Sequence, residues 1–325
     1  MPLNISQAQE LLASHNTNNF INAEPRGLYD PRDYIMSMAG KKLRSLFCLL
    51  GYQLYKEDIS KALDAAYCIE LFHNFSLVHD DIMDEAELRR GQPSVHVKYS
   101  SNAAILSGDV MLIEVYQRLA KLEVVDKVHV IELFSKVARE VCEGQSMDMA
   151  FETLDQVSIE EYLEMIRLKT AVLLGLSVRV GALMAGASES DQEHLNQFAT
   201  NAGVAFQLQD DYLDVYGDPE KFGKKVGGDI IQGKKTYLYL RAVQLLSEKE
   251  RNEFIEFYIS ADEQPFAKVE RVRSIFDELY IPHYCEEAKT AFFDLAKSHL
   301  DVVNLPEDKK EELKEFALTL MNRNS

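Results

Sequence analysis

The chain has 325 residues, 46% of them hydrophobic, with 53 acidic against 35 basic residues and a net charge of −18. That length and apolar content suffice for a large core, in separate domains or in one large helical bundle. So negative a balance excludes general affinity for nucleic acid or anionic membrane, and a phosphate ligand would need metal ions and well-placed Lys and Arg to overcome it.

Cys48, Cys68, Cys142 and Cys285 are scattered and form no C-x-x-C pair, which argues against a zinc site or a disulfide framework. Residues 1–10 carry no signal-peptide pattern. The nearest approach to a membrane span, residues 168–187, is interrupted by Lys169 and Arg179, so a soluble, cytoplasmic protein without membrane insertion is expected.

Almost every segment has helical periodicity. After a short N-terminal helical pattern, Asp30 followed by Pro31 predicts a helix start, with Asp30 as cap and Pro31 at the first helical position, and a stop near Gly40. Helical runs follow at 43–54 and 59–84, and Gly91-Gln92-Pro93 breaks the pattern. Further helices are predicted at 102–122 and 126–151. Ser158 with Glu161 forms a capping box, and Ser190 with Glu193 suggests another whose helix reaches about Tyr216. Residues 217–233 form the one long glycine-rich segment, interleaved with Lys221, Lys224 and Lys225 and followed by Lys234; loops of this length tend to be functional. Helical patterns resume at 235–246, 248–259, 268–280, 283–300 and 307–321. With no strand pattern and no linker, residues 1–325 are predicted to form one all-α domain of ten or more helices.

The stretch from His73 to Gly91 runs from an apolar helical pattern into Asp80, Asp81 and Asp84, then Arg89 and Arg90. Asp80 and Asp84 stand four apart, so a helix points both carboxylates from one face. The spacing recurs at Asp210, Asp211 and Asp214. One such triplet can be a solvated helix end. Two of them, each near the end of a long apolar helix, would repel one another in a shared cleft and become sensible around a divalent metal. Hard oxygen donors point to Mg²⁺, which takes one or two carboxylates, keeps waters and is completed by substrate phosphates; a calcium loop of the EF-hand kind lacks its glycine here.

Candidate phosphate contacts are Lys41, Lys42, Arg44, Arg89, Arg90, Lys169 and the lysines of the glycine-rich segment. Lys169, beside Thr170, interrupts an apolar helix, where an unpartnered ammonium is costly. Gln207 lies one turn before Asp210 and Asp211, and His73 almost two turns before Asp80, both on the carboxylate side.

Two D-D-x-x-D triplets on an all-helical chain resemble the trans-isoprenyl diphosphate synthases, the farnesyl and geranylgeranyl diphosphate synthase family. The resemblance spans most of the chain: A-G-K-K-L-R at 39–44, D-D-I-M-D then L-R-R-G, Gly108-Asp109, G-Q-x-x-D at 144–148, Lys169-Thr170, F-Q-L-Q-D-D-Y-L-D at 206–214, and the G-K and G-G-D of the glycine-rich segment. It implies the isoprenoid synthase fold around a central cleft, several Mg²⁺ ions (three expected), and a homodimer. Asp80, Asp84, Asp210 and Asp214 would bind the metal, with Asp81 and Asp211 supporting. Arg89, Lys169, Lys224 and Lys234 would contact the allylic diphosphate. Lys41, Arg44, His73 and Arg90 would hold isopentenyl diphosphate; Thr170 and Gln207 would face the developing carbocation and, with Lys169, are the catalytic candidates. Two departures are visible: Ala39 replaces the first glycine of the usual G-G-K, and Ser45 stands where proline is common.

The reaction implied is ionisation of an allylic diphosphate, attack by the isopentenyl double bond and loss of a proton, with the glycine-rich segment closing over the site to exclude water. Product length would be set by side chains upstream of Asp80. Helical geometry nominates Phe72 as the channel floor, roughly 12 Å below the metal, whereas the resemblance points to Phe75 and Ser76. Geranylgeranyl diphosphate is the expected product, farnesyl diphosphate the next. The alternatives are a class I terpene cyclase, whose second metal motif differs from Asp210–Asp214, and a non-catalytic subunit of a heteromeric synthase, which would lack one triplet.

Overall fold

The computed structural model describes residues 5–217, 227–260 and 265–321. The α-helices are α1 (Ile5–Asn18), α2 (Arg26–Ser37), α3 (Leu43–Gln53), α4 (Leu63–Met83), α5 (Val95–Lys98), α6 (Ser101–Leu119), α7 (Lys127–Thr153), α8 (Ile159–Ile166), α9 (Val172–Ala185) and α10 (Glu189–Tyr216). They continue as α11 (Gly228–Ile231), α12 (Tyr237–Leu245), α13 (Glu248–Ile259), α14 (Pro265–Glu278), α15 (Ile281–Val302) and α16 (Glu307–Met321). The all-α prediction of ten or more helices is met.

Two compact units are distinguished, one of Met1–Ala138, Leu173–Asn196 and Val303–Leu313, the other of Arg139–Val172, Gln197–Val302 and Lys314–Ser325. In the first, α4 is apolar almost all round, with Ala65 through Phe72 buried, as a helix enclosed on every side must be. α1, α2, α3 and α6 pack on it. Arg32 of α2 is fully buried and ties these helices together: its guanidinium donates to Glu114 of α6 at 2.9 and 3.1 Å, to Asp33 at 2.7 Å and to the Tyr67 hydroxyl of α4. Gly51 and Gly181 let α3 and α9 touch backbone to backbone. A Cβ at Gly51 would lie 2.4 Å from the Val178 carbonyl oxygen, and one at Gly181 only 1.9 Å from that of Cys48.

In the second unit α12 is the central element, with Tyr237, Leu238, Tyr239 and Leu240 all buried and α8, α13, α14 and α15 against it. Its core adds Phe151, Tyr162, Met165, Leu208, Tyr258 and Phe276.

Several local expectations are corrected. α2 begins at Arg26, because the amides of Leu28 and Tyr29 already bond to the Pro25 carbonyl; Pro31 therefore sits inside the helix and Asp30 is not its cap. The helix 59–84 opens as a 3₁₀ turn, Ile59–Ala62, before α4. α10 is capped by Ser188, whose hydroxyl accepts from the Asp191 amide at 3.1 Å, and not by Ser190. Strand is present after all: Leu88–Arg89 pairs antiparallel with Gln92–Pro93. Arg90 (φ 54°) and Gly91 (φ 74°) form the two-residue turn between them. A ladder that short leaves no alternating pattern to read. The expectation about a membrane span is not among these corrections: the helical run Ile159–Ala185 is long and apolar enough to cross a membrane by length and composition alone, and 72% of its most apolar window is buried inside the protein.

Gly181→Ala forces a methyl into a carbonyl oxygen that belongs to a neighbouring helix, so it is expected to destabilise the fold by about 3 kcal/mol. Denaturant unfolding of the variant checks this.

Candidate active site

The first aspartate triplet closes α4. The Asp84 amide still bonds to the Asp80 carbonyl at 2.9 Å, which keeps these two residues one turn apart. Glu85 then turns left-handed (φ 50°), and the Ala86 amide reaches back to the Asp81 carbonyl at 2.9 Å, a Schellman ending without glycine. Asp81 is buried and turned inward, where its Oδ1 accepts two bonds from Arg89, Nε at 2.9 Å and Nη2. The same guanidinium lies 3.6 Å from Asp80. Burial raises the Asp81 carboxyl and Arg89 opposes it. The hairpin beyond α4 is what returns Arg89 to the triplet.

Its neighbour Arg90 joins a cation cluster beside α4. Gly40 gives it room, since a Cβ there would lie 3.0 Å from the Arg90 guanidinium carbon. Arg44 donates to His73 Nε2 at 3.1 Å. Burial, and then the positive charge of Arg44, Arg90, Lys42 and Arg89, holds His73 well below the ordinary imidazole range, so the ring accepts this bond in its neutral form. Burial pulls Arg44 down to about 10, with Glu70 opposing and Arg90 reinforcing. Among the described residues no group bonds to the buried Arg44 Nε. Glu70, absent from the sequence reading, lies within this cluster. It accepts from Lys42 Nζ at 3.0 Å, from Ser45 Oγ at 3.2 Å and from Asn74 Nδ2 at 3.1 Å. Arg90 in turn reaches Asn74 Oδ1 at 3.5 Å. Lys41 is exposed, unlike Lys42.

The second triplet lies in the last two turns of α10. Its middle member, Asp211, is again buried: Oδ2 accepts from the Tyr162 hydroxyl and Oδ1 from Gln207 Nε2 at 3.3 Å. Burial and the charge of Asp229 push Asp211 up to about 8. Asp214 accepts from the Asp229 amide at 2.9 Å through its side chain. Its carbonyl takes the Gly227 amide at 2.6 Å, so the start of α11 folds back onto α10. Lys234 Nζ is 3.9 Å from Asp229. Lys169 and Thr170 lie in a π-helical turn, Arg167–Ala171, that separates α8 from α9; such turns concentrate at functional sites. Gly144 permits it, since a Cβ would fall 2.3 Å from the Lys169 amide nitrogen. Lys169 Nζ pairs with Asp148 at 2.5 Å, which answers the question of how this helix carries a lysine. Lys224 lies outside the described residues, as do Lys221 and Lys225.

Among the described residues no three His, Cys, Asp or Glu side chains converge into a self-sufficient metal site. Mg²⁺ does not need one, since one or two carboxylates with waters and phosphate oxygens suffice. Asp80 with Asp84, and Asp210 with Asp214, offer hard oxygen donors at helix C-termini, where the helix dipole favours a cation. The donor sets fit Mg²⁺.

Below the first triplet, Phe72 is buried with its ring 5.3 Å from Phe134 and 5.5 Å from Phe75, while Phe75 packs on His79 at 4.9 Å. Ser76 donates to the His73 carbonyl at 2.9 Å. His79 needs Gly108 beside it, where a Cβ would lie 2.3 Å from its Nε2. Sequence reasoning missed Glu70, Tyr162, Asp229 and Phe134 as neighbours of these groups. A lone glutamate in the apolar run before His73 is the one signal that could have found Glu70.

A carboxyl raised when folded binds its proton there while the unfolded chain has already released it. Asp211 therefore makes the metal-free protein less stable as pH rises from about 4, its unfolded value, to about 8. Asp211→Asn is expected to remove up to about 1.4 kcal/mol per pH unit of that slope, read from unfolding curves across the window in chelator.

The family model for polyprenyl synthetase matches residues 25–279. A short chain isoprenyl diphosphate synthase of Methanocaldococcus jannaschii is 43% identical over 230 residues, 70% of each chain. A geranylgeranyl pyrophosphate synthase of Geoglobus acetivorans is 39% identical over 285 residues, 86% of each. Among solved structures, a geranylgeranyl pyrophosphate synthase superposes with a TM-score of 0.93 at 40% identity, covering 99% of this chain and 100% of that one. With both aspartate triplets in place at their helix ends, the chain belongs to the polyprenyl synthetase family and has its all-α isoprenoid synthase fold.

Proposed function

We propose that this protein is a short-chain trans-prenyltransferase. It condenses isopentenyl diphosphate with dimethylallyl, geranyl or farnesyl diphosphate and releases diphosphate, with geranylgeranyl diphosphate as the product. The observation that carries the reading is the recurrence of an i, i+1, i+4 aspartate triplet at the C-termini of α4 and α10 in a member of this family. Asp80, Asp84, Asp210 and Asp214 hold the Mg²⁺ ions, three in number, and Asp81 and Asp211 steady them from inside the protein. Bound there, Mg²⁺ supplies the Lewis acidity that lets the allylic C–O bond ionise. Arg89, Lys169, Lys224 and Lys234 bind the allylic diphosphate and neutralise it as it leaves. Lys41, Arg44, His73 and Arg90 hold isopentenyl diphosphate. A neutral His73 and a buried Arg44 whose Nε has no other partner among the described residues are suited to accepting that anion. Thr170 and Gln207 face the carbocation. The chain acts as one catalytic domain in the cytoplasm, without nucleic acid or membrane as partner.

Phe72 and Phe75 stand where a growing chain would be stopped. Phe72 meets Phe134 edge-on and Phe75 at a tilt, which favours a floor of several rings over a single plug. A homodimer is supported by α6, where Leu106 and Ile113, seven residues apart on one face, are each 58% exposed.

Purified protein with Mg²⁺, isopentenyl diphosphate and each allylic starter is expected to yield a longer all-trans diphosphate, sized by chromatography. Asp80→Asn should lower turnover about 100-fold, and no turnover with any starter would overturn the synthase reading. Phe75→Ala should lengthen the product. Phe72→Ala should do so too, at a stability cost of about 3 to 5 kcal/mol; an unchanged product distribution in both removes the rings from the floor. Light scattering is expected to give twice the chain mass, and the mass of one chain once Leu106 and Ile113 are replaced by Asp.

A further inference from the structure

We propose that Glu70 is a positioning residue for isopentenyl diphosphate: it is the buried counter-charge that sets the cations around the homoallylic diphosphate. The inference rests on the reading of Lys41, Arg44, His73 and Arg90 as that subsite.

Glu70 is 1% exposed and sits in the middle of α4. A carboxylate buried so completely is strongly destabilising unless it is paired and hydrogen-bonded, and each of its partners belongs to the neighbourhood of the subsite. Lys42 pairs with it at 3.0 Å. Lys42 is the left-handed residue (φ 50°) that begins α3, so this pair fixes the bend between Lys41 on one side and Arg44 on the other. Ser45, in the first turn of α3, bonds to the second carboxylate oxygen at 3.2 Å and to the Ala66 carbonyl at 3.0 Å. Asn74 is held by the Glu70 side chain and main chain at 3.1 and 2.8 Å, and presents its own Oδ1 to Arg90. Lys42 thus meets the carboxylate directly and Arg90 through Asn74, while Arg44, which bonds to His73, feels it through charge alone.

The chemistry requires such a group. Lys42, Arg44 and Arg90 crowded beside α4 repel one another before substrate arrives, and a histidine, neutral or protonated, brings no negative charge to offset them. An anion exposed to the ligand would compete with the diphosphate for these cations. One buried beneath them offsets their mutual repulsion and leaves their outer faces to the substrate. Glu70 touches no substrate in this arrangement; it acts through Lys42 and Asn74.

Glu70→Gln keeps the shape and removes the charge. It is expected to raise the KM for isopentenyl diphosphate about tenfold and to leave the KM for the allylic starter within about twofold. A role in fold stability alone would shift both constants or neither. Lys42→Gln breaks the same pair from a part-exposed position and is expected to give the same one-sided shift, so it carries the test if Glu70→Gln is not recovered folded. Arg44→Gln is measured alongside. If it raises the isopentenyl diphosphate KM while Glu70→Gln and Lys42→Gln do not, the positioning role is overturned and the subsite stands. If none of the three moves that constant, the subsite reading falls and the role with it.

Discussion

Negative charge at the C-terminal end of a helix is opposed by the helix dipole, at about 0.3 to 1 kcal/mol for each carboxylate. Both aspartate triplets sit there, and the groups around them answer that cost. At the end of α4 the hairpin exists to return a guanidinium: without the left-handed Glu85 and the turn at Arg90 and Gly91, Arg89 would project away from Asp81. At the end of α10 the compensation is hydrogen bonding, from Tyr162 and Gln207 to Asp211 and from the Asp229 amide to Asp214. A bound cation at either helix end would act in the same direction, since the helix dipole favours positive charge there.

The spacing also divides labour within a triplet. Residues i and i+4 share a helical face, whereas i+1 is turned about 100° away. Asp81 and Asp211 are therefore the buried members, and each is fixed by a side chain from another element. Holding the middle residue fixes the rotation of the helix end, and with it the direction of the two outer carboxylates. A buried Asp211 driven up to about 8 is the electrostatic mark of this arrangement. Its value comes from burial and Asp229 more than from its neighbours in the triplet.

Much of this was legible from the residues. Periodicity located the helices, and the repeated triplet located the chemistry, because both are properties of short sequence distance. What was not legible depends on contact. The pairing of Lys169 with Asp148 spans two helices, and the π-helical turn that carries Lys169 is made possible by Gly144, whose missing side chain meets the turn's backbone. No periodicity announces that. Pro31 misled for a related reason: a proline signals a helix start only when nothing upstream has begun the helix, and the Pro25 carbonyl had. Glu70 gives little signal in the sequence, because a single acid in an apolar run resembles noise until its partners are known.

The departures at Ala39 and Ser45, the first in the A-G-K-K-L-R segment and the second just after it, have physical meaning in the structure. Ala39 does not adopt a left-handed backbone, so replacing a glycine there carries no conformational cost. The glycine that matters is Gly40, and it matters for space beside Arg90 and not for its own φ. Ser45 differs more. A proline in the first turn of α3 would satisfy the helix start by stiffness alone, since its missing amide is one the helix does not use. The serine hydroxyl instead reaches the Ala66 carbonyl and the Glu70 carboxylate. Stiffness in the chain has been exchanged for a bond to the buried anion, so the geometry of this loop depends more heavily on Glu70 than it would with the ring in place.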